Sequence, residues 1–221
     1  MMTKALLLAL ATFPLATALP AQSEPIDQGT LTIRLADVEV GREQFTLTAG
    51  RRGGTSGSTL HAVASYPAVR PSLRVDAILE RGTAQALAAF QVELAGTQQG
   101  RTVAELVRNR LTVRSASGDQ ETAHEYPGGP DLVALDDSVY SLWLTVADLA
   151  TEAGVELKGI EPRSGWRGRF TARRLSDPHG PPSILLTGEI QGTILLDDRG
   201  RFNGLLIPAK GLVVLRNTET Y

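Results

Sequence analysis

The sequence predicts a mainly β protein, a strongly curved antiparallel sheet (barrel or half-barrel) of about eleven or twelve strands wrapped around one long α-helix. Three observations carry this expectation. Apolar and polar side chains alternate along most of the chain, as they do in strands with one buried and one solvated face. Short stretches containing glycine or proline separate these runs, which makes consecutive strands antiparallel neighbours. One segment alone, residues 136–154 (DDSVYSLWLTVADLATEAG), has helical periodicity: Val139, Leu142, Trp143, Val146, Leu149, Ala150 and Ala153 recur at spacings of three and four. A lone amphipathic helix must bury its stripe against the inside of a sheet, so residues 138–153 are expected to form a plug on which the sheet closes. Asp136, Asp137 and Ser138 suit the start of that helix, where their oxygens can accept from free backbone N–H groups, and Gly154 suits its end.

Taken in order, residues 1–21 read as a secretory signal: Lys4 supplies the positive charge, an apolar run follows from Ala5 to Leu19, and cleavage is expected after Ala18 or Ala21. The run is short for a bilayer and is broken by Pro14, so no integral membrane span is expected. Residues 22–221 are expected to form a single β-barrel-like domain, because no low-complexity linker divides them. In residues 29–40, Leu31, Ile33 and Leu35 share a face until the phase slips, which implies a bulge or turn between Ala36 and Gly41. Phe45, Leu47 and Ala49 mark the next strand, and the glycine- and serine-rich residues 51–58 a hairpin loop. Strands follow over residues 59–66, 72–80, 86–95, 102–107, 111–115 and 120–126, with Pro127 to Pro130 breaking the meander and residues 132–135 leading into the helix. Beyond it come residues 155–160, 166–175, 184–191 with 193–196, 202–207 and 212–216. The last of these are almost continuously apolar, as strands covered on both faces are.

Composition narrows the function classes. The chain has 22 basic and 24 acidic residues and a formal net charge of −2, which gives no electrostatic footprint for nucleic acid. It has no cysteine, so disulfides, thiol catalysis and zinc-thiolate sites are excluded. His61, His124 and His179 are too dispersed to suggest a metal site, and neither a metal nor a cofactor is expected. Residues 53–57 lack the spacing of a nucleophile elbow, and no acid, base and nucleophile stand at a spacing that catalysis needs, so a non-enzyme is expected. Asp197, Asp198 and Gly200 read as a turn between two apolar runs.

Two surface features remain. Arg167, Arg169 and Arg173 lie on one face of one strand, near Arg163 and Arg174, and form a candidate anion face. Tyr140, Leu144 and Ala147 widen the apolar stripe of the helix. With Trp143 and the inward aromatics Phe45, Phe90 and Phe170, Tyr140 and Leu144 make up a candidate ligand pocket between sheet and helix.

The apolar leader, the long meander, the approach to the helix through Glu125, Tyr126, Pro127 and Gly128, and the closing hairpin at Asp198, Arg199, Gly200 and Arg201 together resemble exported bacterial proteins of unknown function. The sheets of that group are similar to the half-barrel of the lipoprotein-localisation carriers. The resemblance spans most of residues 29–216 and rests on the order of elements and a few turns. It implies a concave sheet that shelters an acyl chain or another apolar ligand, and it assigns no catalytic residue. The functional expectation is therefore an exported, periplasmic or extracellular protein that binds a lipid or apolar small molecule. The alternative is an envelope scaffold that binds a protein partner through a strand edge or its arginine face.

Overall fold

The computed structural model describes residues 24–51, 54–176 and 180–217. The leader read as a signal peptide lies outside them, as does His179. Fifteen strands form one curved, unclosed sheet. They are β1 (Pro25–Leu35), β2 (Val38–Arg51), β3 (Gly54–Tyr66), β4 (Leu73–Arg81), β5 (Leu87–Gly96), β6 (Gly100–Val107), β7 (Arg110–Ser117), β8 (Gln120–Pro127), β9 (Leu132–Ala134), β10 (Val155–Glu161), β11 (Trp166–Leu175), β12 (Ser183–Gly188), β13 (Gly192–Leu196), β14 (Phe202–Ile207) and β15 (Leu212–Arg216). The helix α1 (Trp143–Leu149) lies between β9 and β10.

Two meanders run outward from the middle of this sheet. β1 to β8 proceed one way and β15 back to β9 the other, joined by the antiparallel β1–β15 pair. Every neighbouring pair is antiparallel except β9 and β10, which are parallel because the chain crosses between them through α1. The two edges are thus β8 and β9, consecutive in sequence and unlike in environment. β9 is buried at every residue and packs on β5, whereas β8 is exposed along nearly its whole length. The ends of the sheet lie against each other without a ladder: the Arg167 guanidinium on β11 sits 5.3 Å from the centre of the Tyr126 ring on β8.

The fifteen strands exceed the expected eleven or twelve, and the sheet departs from the sequence reading in three places. Leu132 to Ala134, read as a lead into the helix, is a strand whose partner β10 comes after the helix. β3 begins at Gly54, so the stretch expected to be a loop is largely paired with β2, Ala49 opposite Ser58. The last strands are not covered on both faces. Ile184, Ile194, Leu205 and Val214 point inward and are buried, while Leu185, Leu195, Leu206 and Val213 point outward and are only half-buried. Leu195 and Leu215 flank Gly204 on that outer face, so neighbouring side chains supply part of the cover.

The long helix is also corrected. α1 has seven residues, and residues 136–142 approach it through tighter turns in which the N–H groups of Trp143, Leu144 and Thr145 donate to the carbonyls of Tyr140, Ser141 and Leu142 at 3.1, 3.0 and 3.1 Å. Asp136, Asp137 and Ser138 do not cap α1; Asp136 bridges to Val139 and receives the N–H of Ser138. The helix stops at Ala150, whose backbone is extended, and Gly154 (φ +86°) closes a later turn onto the Thr151 carbonyl. The misleading signal is enclosure: Val139 to Ala147 are all buried, Ser141 and Thr145 included, so the segment has no solvent face to define a stripe. It is still a plug. At its far end Arg81 reaches Asp148 at 2.6 Å, and Arg174 donates to the Ala147 carbonyl at 2.9 Å.

Candidate functional site

The mouth end of the plug is organised by a residue of the sheet. Glu43 occupies an inward position of β2, opposite Leu31 and Ala64, and is fully buried. Its Oε2 accepts the Tyr140 N–H at 2.6 Å and its Oε1 accepts the Ser141 N–H at 2.9 Å. These are free donors at the start of a helical turn, and a carboxylate from across the fold satisfies them in place of a local cap. Burial pushes the Glu43 carboxyl up to about 7, against the opposing pull of Ser141 and the two N–H donors.

Around this contact stands a polar network. Tyr66, on β3, donates to the Ser138 carbonyl at 2.9 Å, and its ring lies against Gly41, where any Cβ would collide with it. Arg163, in the turn between β10 and β11, grips both oxygens of Asp136 at 2.9 and 3.0 Å and also reaches Ser138 Oγ at 3.1 Å. The hydrogen bond to Asp136 leads in raising the Arg163 pKa, so Arg163 stays a cation. Burial likewise raises the Tyr66 and Tyr140 phenols, and both remain neutral donors.

A cavity of about 440 Å³ opens beside this network, between the start of the plug, the β12–β13 turn and the ends of β10, β11, β14 and β15. Its apolar lining includes Tyr140, Trp143, Trp166, Leu205 and Ile207. Trp143 stacks at a tilt on Phe170, ring centres 6.0 Å apart, while Trp166 lies over Gly159 and Gly168, where a side chain would displace its indole. Asp137, Glu161 and Glu189 line the same cavity, faced by Lys210, which reaches Asp137 at 2.9 Å, while the Asp136 carboxylate is buried against Arg163. An apolar floor beneath a carboxylate-rich rim suits a molecule with an apolar body and a polar head.

The residues read from the sequence as a ligand pocket fall in different places. Tyr140 and Trp143 line this cavity, and Phe170 supports it from behind. Leu144 is buried in the plug and Phe90 in the core. Phe45 borders a separate surface cavity of about 740 Å³, beneath the Arg216 guanidinium at 5.2 Å. Arg167, Arg169 and Arg173 are exposed on the outer face of β11, where Arg167 lies over Tyr126 and Arg169 is 3.6 Å from Glu156. Arg167 and Arg169 border a third cavity of about 550 Å³ at the seam of the sheet, with Lys158, itself paired with Asp131 at 2.8 Å.

His61 pairs with Asp76 at 3.0 Å, His124 lies on β8, and among the described residues no group of three His, Asp or Glu side chains is placed to hold a metal ion. Asp197 closes the expected turn by accepting the N–H groups of Arg199 and Arg201 at 2.9 and 2.8 Å. No described helix is long and apolar enough to cross a membrane.

No family model matches the sequence, and no curated protein sequence matches it. The fold is similar to that of a β-barrel-like protein of a domain of unknown function (DUF1849) from Brucella abortus, with a TM-score of 0.50 and 8% sequence identity, over 86% of this chain and 94% of that one. A protein of the DUF1089 family from Pseudomonas aeruginosa aligns with a TM-score of 0.40 and 14% identity, over 86% of this chain and 95% of that one. The fold is β-barrel-like, as the first of these likenesses shows.

Proposed function

We propose that the protein is an exported, non-catalytic binding module that holds a lipid or an apolar small molecule between plug and sheet, in the cavity lined by Tyr140 and Trp143. The observation that carries this reading is the pairing of an aromatic and aliphatic floor with a rim of charge in one cavity of about 440 Å³, within the usual range for small-molecule sites of about 300–1,000 Å³. The rim also selects a head group. Three acidic residues, Asp137, Glu161 and Glu189, line it against the cation Lys210, while the Asp136 carboxylate is buried in its pair with Arg163. A neutral or cationic head is favoured over a free fatty-acid carboxylate, which like charge repels. Export is proposed on the character of the leader.

Native mass spectrometry of the mature protein, followed by thermal shift with decyltrimethylammonium and decanoate below their micelle concentrations, tests both parts. A co-purifying apolar molecule, or a larger shift with the cationic amphiphile, is expected. An empty protein unaffected by either would overturn the binding reading, and a preference for decanoate would overturn the head-group assignment.

One observation favours a second reading, an envelope scaffold. Among the described residues the outer edge of β8 has no strand beside it, and its exposed backbone could add a strand from a partner protein. Pull-down from envelope extracts with Ala123→Pro, which removes an outward-facing backbone donor from β8, should lose a partner bound this way; retention of every partner counts against it. If Arg167, Arg169 and Arg173 are changed to Gln and all partners persist, the arginine face is not the docking surface.

A further inference from the structure

We propose that Glu43 is a proton-operated latch on the plug: ionised, it grips the turn at Tyr140 and Ser141 with both oxygens, and protonated, it releases part of that grip and lets the pocket wall move. The geometry sets the two states. Each carboxylate oxygen takes one backbone N–H, at 2.6 and 2.9 Å, from the residues that lead into α1. An ionised carboxylate is an acceptor at both oxygens, whereas a carboxylic acid has one oxygen that carries a proton and must donate it.

An acceptor for that proton is in place. Ser141 Oγ is buried beside the same carboxyl and has no hydrogen-bond partner of regular geometry among the described residues. One proton from solvent would sit between Glu43 and Ser141 Oγ, and the N–H on the newly protonated oxygen would lose a charged acceptor. Tyr140 is the coupling element: its N–H is on Glu43, its hydroxyl donates to the Asp137 carbonyl at 2.8 Å, and its ring lines the cavity.

The surroundings leave Glu43 free to change charge. Asp136 and Tyr140 face it from the plug and Tyr66 from β3. Arg163, the cation of this cluster, is held by Asp136 through two hydrogen bonds. Leu31 and Ala64, its partners on β1 and β3, are apolar. The Glu43 carboxylate is thus held by dipoles, with burial opposing its charge. Arg81 at the far end offers the contrast of a buried charge paired with an opposite one.

The latch needs no ligand, so its test stands apart from that of the binding function. Emission of Trp143 is followed in a Trp166→Phe background from about pH 5.5 to about pH 8.5, with the Glu43 side-chain carboxyl carbon followed by NMR in the otherwise unchanged protein. The expected result is one transition in both signals with a midpoint within about one unit of 7, lost from the emission in Glu43→Gln. A transition arising from His61 or His124 would persist in that variant. A Trp143 signal that stays flat, or that still titrates in Glu43→Gln, overturns the proposal. Should Glu43→Gln fail to fold, the carboxyl carbon decides alone: a midpoint in the ordinary glutamate range, or none, overturns it.

Discussion

At its far end the plug is tied to the sheet by Arg81, whose buried guanidinium reaches Asp148 at 2.6 Å and Ser58 Oγ at 3.0 Å. At its mouth it is tied by Glu43, whose buried carboxylate receives only dipoles, from the N–H groups of Tyr140 and Ser141. Both charges leave water, but one meets a counter-charge and the other does not. A paired charge keeps its state through any ordinary change of pH, and a carboxylate held by dipoles exchanges its charge for a proton when burial outweighs them. The adjustable end of the plug is therefore the end that borders the cavity.

The largest effect that sharpens this comparison comes from packing. Trp143→Ala at the mouth removes a large side chain that is 6% exposed and stacked on Phe170, and should cost about 3–5 kcal/mol in urea unfolding. Leu149→Ala at the far end removes a half-buried side chain and should cost less, about 1–2 kcal/mol. Equal losses would mean that the plug is not anchored mainly at its mouth.

Next in size is the pH dependence. The folded Glu43 pKa, about 7, lies above the ordinary glutamate value of 4.5, so between these values the folded state holds a proton that the unfolded state has lost. Stability from this group is therefore fully present below about pH 4.5 and falls as pH rises to about 7, by on the order of 3 kcal/mol, with no further change above. Unfolding free energies measured at several pH values should show this slope, and Glu43→Gln should remove it. A slope of the opposite sign would place the ionised form as the preferred buried one.

Arg81→Met probes the paired end and should cost about 2 kcal/mol in the same assay. The loss is smaller than for a wholly buried pair because Asp148 is 41% exposed and is left in contact with water. The smallest effect belongs to the outer face. Changing Arg167, Arg169 and Arg173 together to Gln should move stability by less than about 1 kcal/mol, since all three are exposed; a loss comparable to that of Arg81→Met would show that the β11 surface holds the sheet ends together.

The strands were legible because a sheet with one buried face writes its alternation into the chain, as in Val75, Ala77 and Leu79 or Phe90 and Val92. The plug was legible as a buried segment but not as a backbone conformation, because apolar spacing reports enclosure and residues 139–147 are enclosed on all sides. β9 was hidden by its length of three residues and by a partner on the far side of α1. Of the mouth, Tyr140 and Trp143 could be read from the stripe; Glu43, Tyr66 and the Asp136–Arg163 pair could not, since their partners come together only in the fold. A signal for the two anchors was nevertheless present. Glu43 falls in phase with Phe45 and Leu47, and Arg81 in phase with Val75, Ala77 and Leu79, so each is a charged residue at an inward position of its strand. Asp27, in phase with Leu31 and Ile33, obeys the same rule and is buried against Arg216 at 2.6 Å.

The most direct test of the binding site is a titration of the protein with decyltrimethylammonium below its micelle concentration, followed by the indole N–H resonances of Trp143 and Trp166 in proton–nitrogen NMR. Both indoles line the cavity, so both resonances should shift saturably with one affinity, and Leu205→Trp, which fills the same space, should abolish the shift while the protein stays folded. Resonances that stay in place, or that drift without saturation and equally in Leu205→Trp, would contradict a ligand site at the mouth of the plug.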